Sequence, residues 1–216
     1  GKKGYDAIYR EISDYHREEH VDANTVEADI VSLRIAELLA EDHFLLSPST
    51  LLGIHRHLFT DVFSEEIPVG KFRKVNITKK EPVLDGDTVQ YSSHFMIQDT
   101  LVYDFEREQN FSYAGLTNEQ KALHAMTFLA DIWQVHPFRE GNTRTVAVFG
   151  IQYLRKLGFH IDNSLFSEHA AYFRNSLVFY HHHGEKQDKQ FLKMFFENLL
   201  MGKKNILSDE EMYSKK

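Results

Sequence analysis

The sequence predicts a mainly α-helical fold, a bundle interrupted once by a β-hairpin. Only 4 Pro and 11 Gly punctuate the 216 residues, and apolar residues recur mostly at three- and four-residue intervals. That rhythm lapses only between Gly70 and about Ser93. The chain is 42% hydrophobic and 26% charged, which fits one globular domain, or one domain with helical extensions, and allows a sizeable core. Its 17 Phe and 10 Tyr are scattered through amphipathic stretches, as in a packed interior.

A first helix is predicted from Thr25 to Glu41, capped by Asp22 or Asn24 and carrying Val26, Ile30, Leu33 and Leu38 inward. A second opens at Ser47-Pro48, where serine caps and proline fits the first turn. Then Val75-Asn76-Ile77-Thr78 and Thr88-Val89-Gln90-Tyr91 flank Asp85-Gly86-Asp87, the pattern of two short strands around a tight turn. Helical spacing resumes at Thr117, where Thr117-Asn118-Glu119-Gln120 reads as a capping box ahead of Leu123, Met126, Ala130 and Trp133. A further helix runs from Asn142 to a stop at Gly158, and another from Asp188 to Gly202. The expected organisation is a helical extension over 1–45, a domain over 46–202, and a flexible, solvated tail over 203–216.

A net charge of −7 argues against general affinity for nucleic acid, which requires a basic surface. The absence of cysteine removes disulfides and thiolate zinc sites. No apolar run suffices to span a bilayer, and the first residues lack the apolar core of a signal peptide, so a cytoplasmic protein is expected.

Chemistry concentrates in His136-Pro137-Phe138-Arg139-Glu140-Gly141-Asn142-Thr143-Arg144, a glycine-containing turn between two amphipathic helices. Gly141 permits close backbone approach, and the helix opening after it presents unpaired N–H groups and a positive dipole end, a ready anion site. Arg144 adds a guanidinium that clamps phosphate oxygens, and Asn142 adds a side-chain amide. Glu140 sets a carboxylate beside those phosphates, where Mg²⁺ would bridge the two. His136 titrates near neutral pH and is the natural general base toward an incoming hydroxyl. Together these parts suit phosphoryl-type transfer, in which the protein positions groups and offsets negative charge.

The turn resembles the signature of the Fic family, His-x-Phe-x-Asp/Glu-Gly-Asn-Gly-Arg-x-x-Arg, at His136, Phe138, Glu140, Gly141, Asn142 and Arg144. The resemblance implies a helical bundle with a β-hairpin flap and transfer of AMP from ATP to a Ser, Thr or Tyr hydroxyl of a protein, including the enzyme itself. It implies His136 as base and Glu140 as the Mg²⁺ ligand. Arg139, Gly141, Asn142, Thr143 and Arg144 would be nucleotide contacts, with Phe138 anchoring the loop. The flap, placed at Val75, Asn76 and Ile77, would pair with an extended target segment. Thr143 and Ala147 depart from the pattern, Ala147 standing where a second arginine would meet the terminal phosphate. Transfer of another phosphorylated group, or a nucleotide-regulated binding module, therefore remains an alternative. Self-association of the bundle is compatible with the sequence but not encoded in any pattern.

Many Fic proteins also carry an inhibitory helix, Ser/Thr-x-x-x-Glu-Gly/Asn, and Ala23-Asn24-Thr25-Val26-Glu27-Ala28 resembles it in part. Glu27 is then the inhibitory carboxylate, with Ala23 where Ser or Thr belongs. Lys193 to Asn198 is a second, weaker match. The run His181-His182-His183 reads as a solvated helix end, since consecutive helical residues cannot converge on one metal. His55 and His57, beside Arg56, read as surface residues, and Lys71, Arg73 and Lys74 as a basic flap that could meet phosphate or target backbone.

Overall fold

The computed structural model describes residues 19–214, and in this span the protein is an all-α bundle. The helices are α1 (Glu19–Ala40), α2 (Pro48–Phe59), α3 (Ile97–Asn110), α4 (Asn118–Val135), α5 (Asn142–Lys156), α6 (Ser164–Glu168), α7 (Ala170–His181), α8 (Gln190–Leu200) and α9 (Asp209–Ser214). Short 3₁₀ turns at Pro82–Leu84 and His94–Met96 break the connection from α2 to α3.

Local chemistry sets several ends. Ser47 caps α2 by accepting from the Ser49 N–H, with Pro48 in the first turn. Thr117 and Gln120 close a reciprocal capping box at the start of α4. Helix α4 is the hub and packs against α3, α5, α7 and α8. Its Ala125, Ala130, Ile132 and Trp133 have no measurable exposure, and burying each large side chain contributes about 1.5–3 kcal/mol. Helices α1 and α2 lie against α5 from the other side. Arg155 and Gln152 of α5 donate to Leu39 O and Leu38 O at the end of α1, and Arg34 of α1 donates to Leu58 O and Thr60 O at the end of α2. These bonds satisfy carbonyls that a helix end leaves unpaired. The signature turn thus joins the two central helices of the bundle.

The predicted β-hairpin flap is not formed: among the described residues there is no strand. The two arms do approach each other, but side chains join them where a main-chain ladder was expected. Arg73 donates to Val75 O (2.8 Å) and Ser92 O (2.5 Å) and so bridges the arms. Asn76 Oδ1 accepts from the His94 N–H, and Thr88 Oγ1 accepts from the Lys79 N–H. The tip is closed by a 3₁₀ turn opening on Pro82, which has no N–H to give a ladder.

Other expectations also change. Helix α1 is already formed at Glu19, the first described residue, upstream of the expected caps Asp22 and Asn24. It buries Val31, Ile35 and Leu38, while Val26, Ile30 and Leu33 face outward. The helix has two apolar stripes, and the one that meets α2 and α5 is the buried one. Helix α5, by contrast, stops as expected: its last residue is Lys156, and Gly158 follows the C-cap in the left-handed region at φ 102°. Past Lys203 the chain folds back where a solvated tail was expected. Asn205 exchanges hydrogen bonds with Asn198, and α9 buries Met212 completely against α7 and the Pro82–Leu84 turn. His181 and His182 are buried, His181 bonded to Ala130 O and His182 to Asp87, so this helix end is packed and not solvated.

Candidate functional site

His136 is the C-cap of α4 and lies in the left-handed region at φ 52°, an uncommon conformation for a residue with a side chain. Its partners hold it there. Arg73 donates from Nε to His136 O (2.7 Å) and from Nη2 to Val135 O (3.1 Å), and the Arg73 N–H bonds Pro137 O. A buried guanidinium thus meets the last carbonyls of α4 and the first of the turn. Burial, then the nearby Arg139 charge, pushes the Arg73 pKa down to about 10, so it stays charged at neutral pH.

The ring of His136 is fully buried and oriented. Nδ1 lies 2.9 Å from Trp133 O, which only accepts, so Nδ1 carries the proton and Nε2 keeps its lone pair. One ring face stacks on Tyr91 with centroids 4.1 Å apart, and Trp133 meets the ring edge-on. Burial above all, and the Lys79 cation in addition, hold the imidazole pKa well below its ordinary value. His136 is therefore a neutral base with Nε2 as its accepting atom. Facing Nε2 at 3.2 Å is Nζ of buried Lys79, a residue the sequence reading passed over.

The rest of the turn is braced from within and behind. Asn142, fully buried, accepts from Phe138 N–H (2.9 Å) and donates to Phe138 O (2.8 Å), closing the loop on itself. Its side chain, read from sequence as a phosphate donor, spends these bonds on loop shape. Gly141 is the N-cap of α5 at φ 83°, and a Cβ there would lie 2.5 Å from Phe59 Cε2. His55, expected at the surface, is instead fully buried beneath the turn. Its Nδ1 accepts from the Gly70 N–H, so Nε2–H donates to Glu140 O at 2.8 Å, while its ring stacks on Phe138 at 3.9 Å. The spacing of His55 from Leu51 and Leu58 places it on the buried face of α2 and was the available signal.

Glu140 is 2% exposed with Arg139 Nη1 3.5 Å from its carboxylate. No cluster of three or more His, Cys, Asp or Glu exists among the described residues that could cage a metal. A single buried carboxylate beside a helix N-terminus fits Mg²⁺ that takes its remaining ligands from phosphate and water. Arg144 lies over the Phe59 ring at 5.3 Å, and Thr143 Oγ1 accepts from the Trp133 indole N–H. Ala147 is buried on α5. Glu27 lies half-buried on α1, the helix that packs against α5. Val75 is 50% exposed on the arm that leads to Lys79.

Residues 45–154 match the Fic/DOC family. The chain is 32% identical over 112 residues to protein adenylyltransferase VbhT of Bartonella schoenbuchensis, aligning 50% of this chain with 21% of that protein. It is 32% identical over 122 residues to probable protein adenylyltransferase y4lH of Sinorhizobium fredii, aligning 52% with 54%. The aligned region thus spans about half of y4lH and about a fifth of VbhT. Among solved structures, BepC of Bartonella tribocorum with bound AMPPNP superposes with a TM-score of 0.65 at 18% identity, covering 84% of this chain and 88% of that one. The N-terminal Fic domain of Bep8 from Bartonella sp. 1-1C gives 0.64 at 19%, covering 86% and 88%. At these identities the likeness is one of fold.

Proposed function

The chain belongs to the Fic/DOC family, and from that premise we propose that it is a protein adenylyltransferase, moving AMP from ATP to a hydroxyl side chain of a protein, itself included. The observation that carries the reading is the fixed tautomer of His136: Nδ1–H is committed to Trp133 O, which puts the proton-accepting lone pair on Nε2. The sequence relatives named as adenylyltransferases favour the same reaction.

The acceptor hydroxyl gives its proton to His136 Nε2 as its oxygen bonds to the α-phosphorus, and the bond from that phosphorus to the bridging oxygen breaks, releasing pyrophosphate. The N-terminus of α5 and Arg144 would face the phosphates with positive charge. Mg²⁺, held by Glu140, would neutralise phosphate charge. The arm carrying Val75, Asn76 and Ile77 would meet the target, with the half-exposed Val75 side chain available to it. Glu27, half-buried on α1, would act as a brake. One observation favours a second reading, in which another phosphorylated group is moved: the position of the second signature arginine holds buried Ala147.

Incubation with Mg²⁺ and ATP labelled at the α- or γ-phosphate, followed by intact mass measurement, tests the reading. The expected result is a gain of one AMP with the α label retained, lost in His136→Ala. Transfer of the γ label alone would replace adenylylation with phosphorylation, and no histidine-dependent product under either label would reject both.

A further inference from the structure

Lys79 is the feature of this site that the reaction above leaves without a task. Its Nζ is 3.2 Å from His136 Nε2, the atom that must receive the acceptor proton. It is 5% exposed, and a buried ammonium is costly unless partners hold it. The ammonium meets the His136 lone pair and the Tyr91 ring, and its arm is fixed in place. Two residues on, Glu81 is fully buried and paired through both oxygens to Arg174 of α7, at 2.8 and 2.7 Å. The Glu81 backbone closes the tip by bonding Asp87 O and accepting from the Gly86 N–H. The Lys79 N–H bonds Thr88 Oγ1, and its ammonium stands 5.9 Å from the centre of the Tyr91 ring, the ring that stacks on His136. The cation is thus set at the base by an arm pinned to the bundle. Burial pushes its pKa down to about 8, and the carboxylates of Glu140 and Glu81 oppose that fall.

A hydroxyl donating to Nε2 sits about 2.6–3.2 Å from it, which is the place where Lys79 now donates. The acceptor must share that side of the ring with the ammonium. We propose that Lys79 is a further catalytic residue of this chain: displaced from Nε2 by the acceptor hydroxyl, its ammonium donates to the acceptor oxygen as that oxygen loses its proton and bonds to phosphorus. The O–H bond breaks and its proton moves to Nε2, the O–P bond forms, and the bond to pyrophosphate breaks with its electron pair leaving on that group. Lys79 keeps its protons throughout and supplies a fixed positive charge where negative charge develops. Before the acceptor arrives, the same contact keeps the base lone pair pointed at the reacting position.

The inference rests on the adenylyl-transfer reading, and one experiment separates their failures. Automodification by the full chain is followed by mass with Mg²⁺ and varied ATP, for wild type, His136→Ala, Lys79→Met and Lys79→Arg, with thermal melting of each. The expected result is a saturating rate lowered about 100-fold in Lys79→Met, the scale for removing one preorganised donor. The ATP concentration for half-maximal rate should stay within about threefold, and Lys79→Arg should recover part of the rate. If Lys79→Met melts early, Lys79→Gln is read in its place, since it keeps a neutral donor. A saturating rate equal to or above wild type, or a change confined to ATP dependence, overturns the role of Lys79 and leaves adenylyl transfer standing. Absence of histidine-dependent AMP gain in wild type overturns both.

Discussion

A methyl group at position 141 would meet two obstacles at once. The backbone there is left-handed, at φ 83°, and the added carbon would lie 2.5 and 2.8 Å from Cε2 and Cζ of Phe59. Phe59 cannot yield easily, because it is fully buried, stacks on Phe63 at 4.7 Å and lies beneath the Arg144 guanidinium. Left-handed strain costs about 1–2 kcal/mol and overpacking about 1–3 kcal/mol. Gly141→Ala is therefore expected to lose about 2–5 kcal/mol in denaturant unfolding and to stop the proposed AMP transfer, because it moves the N-terminus of α5. A variant as stable as wild type would show that the turn has room the geometry denies. At this scale the sequence pointed to the turn from His136 to Arg144 as the candidate site, since the order of residue types within nine positions is itself the signal, but it read Asn142 as a phosphate donor where the structure shows a brace within the loop. His55, Arg73 and Lys79 were misread or missed because what defines them is distant. Their partners Glu140, His136 and again His136 lie 85, 63 and 57 residues away. The spacing of His55 from Leu51 and Leu58 reports its burial, but no local pattern reports the contacts themselves.

Elements with their own end signals were read well, and those shaped by tertiary contacts were not. The capping box of α4 and the Ser-Pro start of α2 are local chemistry, and both helices begin where those residues say. The arms between Gly70 and Ser93 have strand-like composition, but Arg73 takes Val75 O and Ser92 O, carbonyls that a ladder could use. Helix α1 had two candidate stripes, and only docking on α2 and α5 chose between them. The contrast gives a paired prediction. Arg73→Lys keeps the charge but loses the planar fork that reaches four carbonyls. It should cost about 3 kcal/mol, on a scale of about 1.5–3 kcal/mol for each charged hydrogen bond lost, and lower AMP transfer steeply by freeing His136. Thr117→Ala removes a cap at the far end of the same helix, and should cost about 1 kcal/mol while leaving the rate of transfer unchanged. Equal effects of the two on transfer would mean that Arg73 supports the fold and not the turn.

Across the whole molecule, buried histidines should set the response to acid. Burial first, opposed by a backbone hydrogen bond, leaves His55 and His181 with pKa values of about 4, and His136 is also held well below its ordinary value. An unfolded chain binds a proton on each near pH 6.5. Between about 6.5 and 4 the unfolded state therefore carries more protons than the native state, so stability is full above 6.5 and falls as the pH drops toward 4. Asp104 and Asp131 act in the opposite sense: burial raises both, and with the neighbouring Asp131 takes Asp104 to about 6, so the native state holds protons on them within the same window. Three depressed imidazoles outweigh them, and the net change should be acid destabilisation. His181 isolates one contribution, because it lies away from the turn, bonded to Ala130 O at 2.7 Å and stacked on Trp133 at 6.0 Å. His181→Gln keeps a donor for that carbonyl but cannot take up the proton. Its unfolding free energy should resemble wild type at pH 7 and decline less between 6.5 and 4.5, by up to about 3 kcal/mol on the scale of 1.36 kcal/mol per unit of pKa shift. The single tryptophan, Trp133, packed against both His136 and His181, reports the unfolding by fluorescence. Coincident pH slopes for the two proteins would mean that His181 is as easily protonated in the folded chain as in the unfolded one, and would remove this histidine from the acid response.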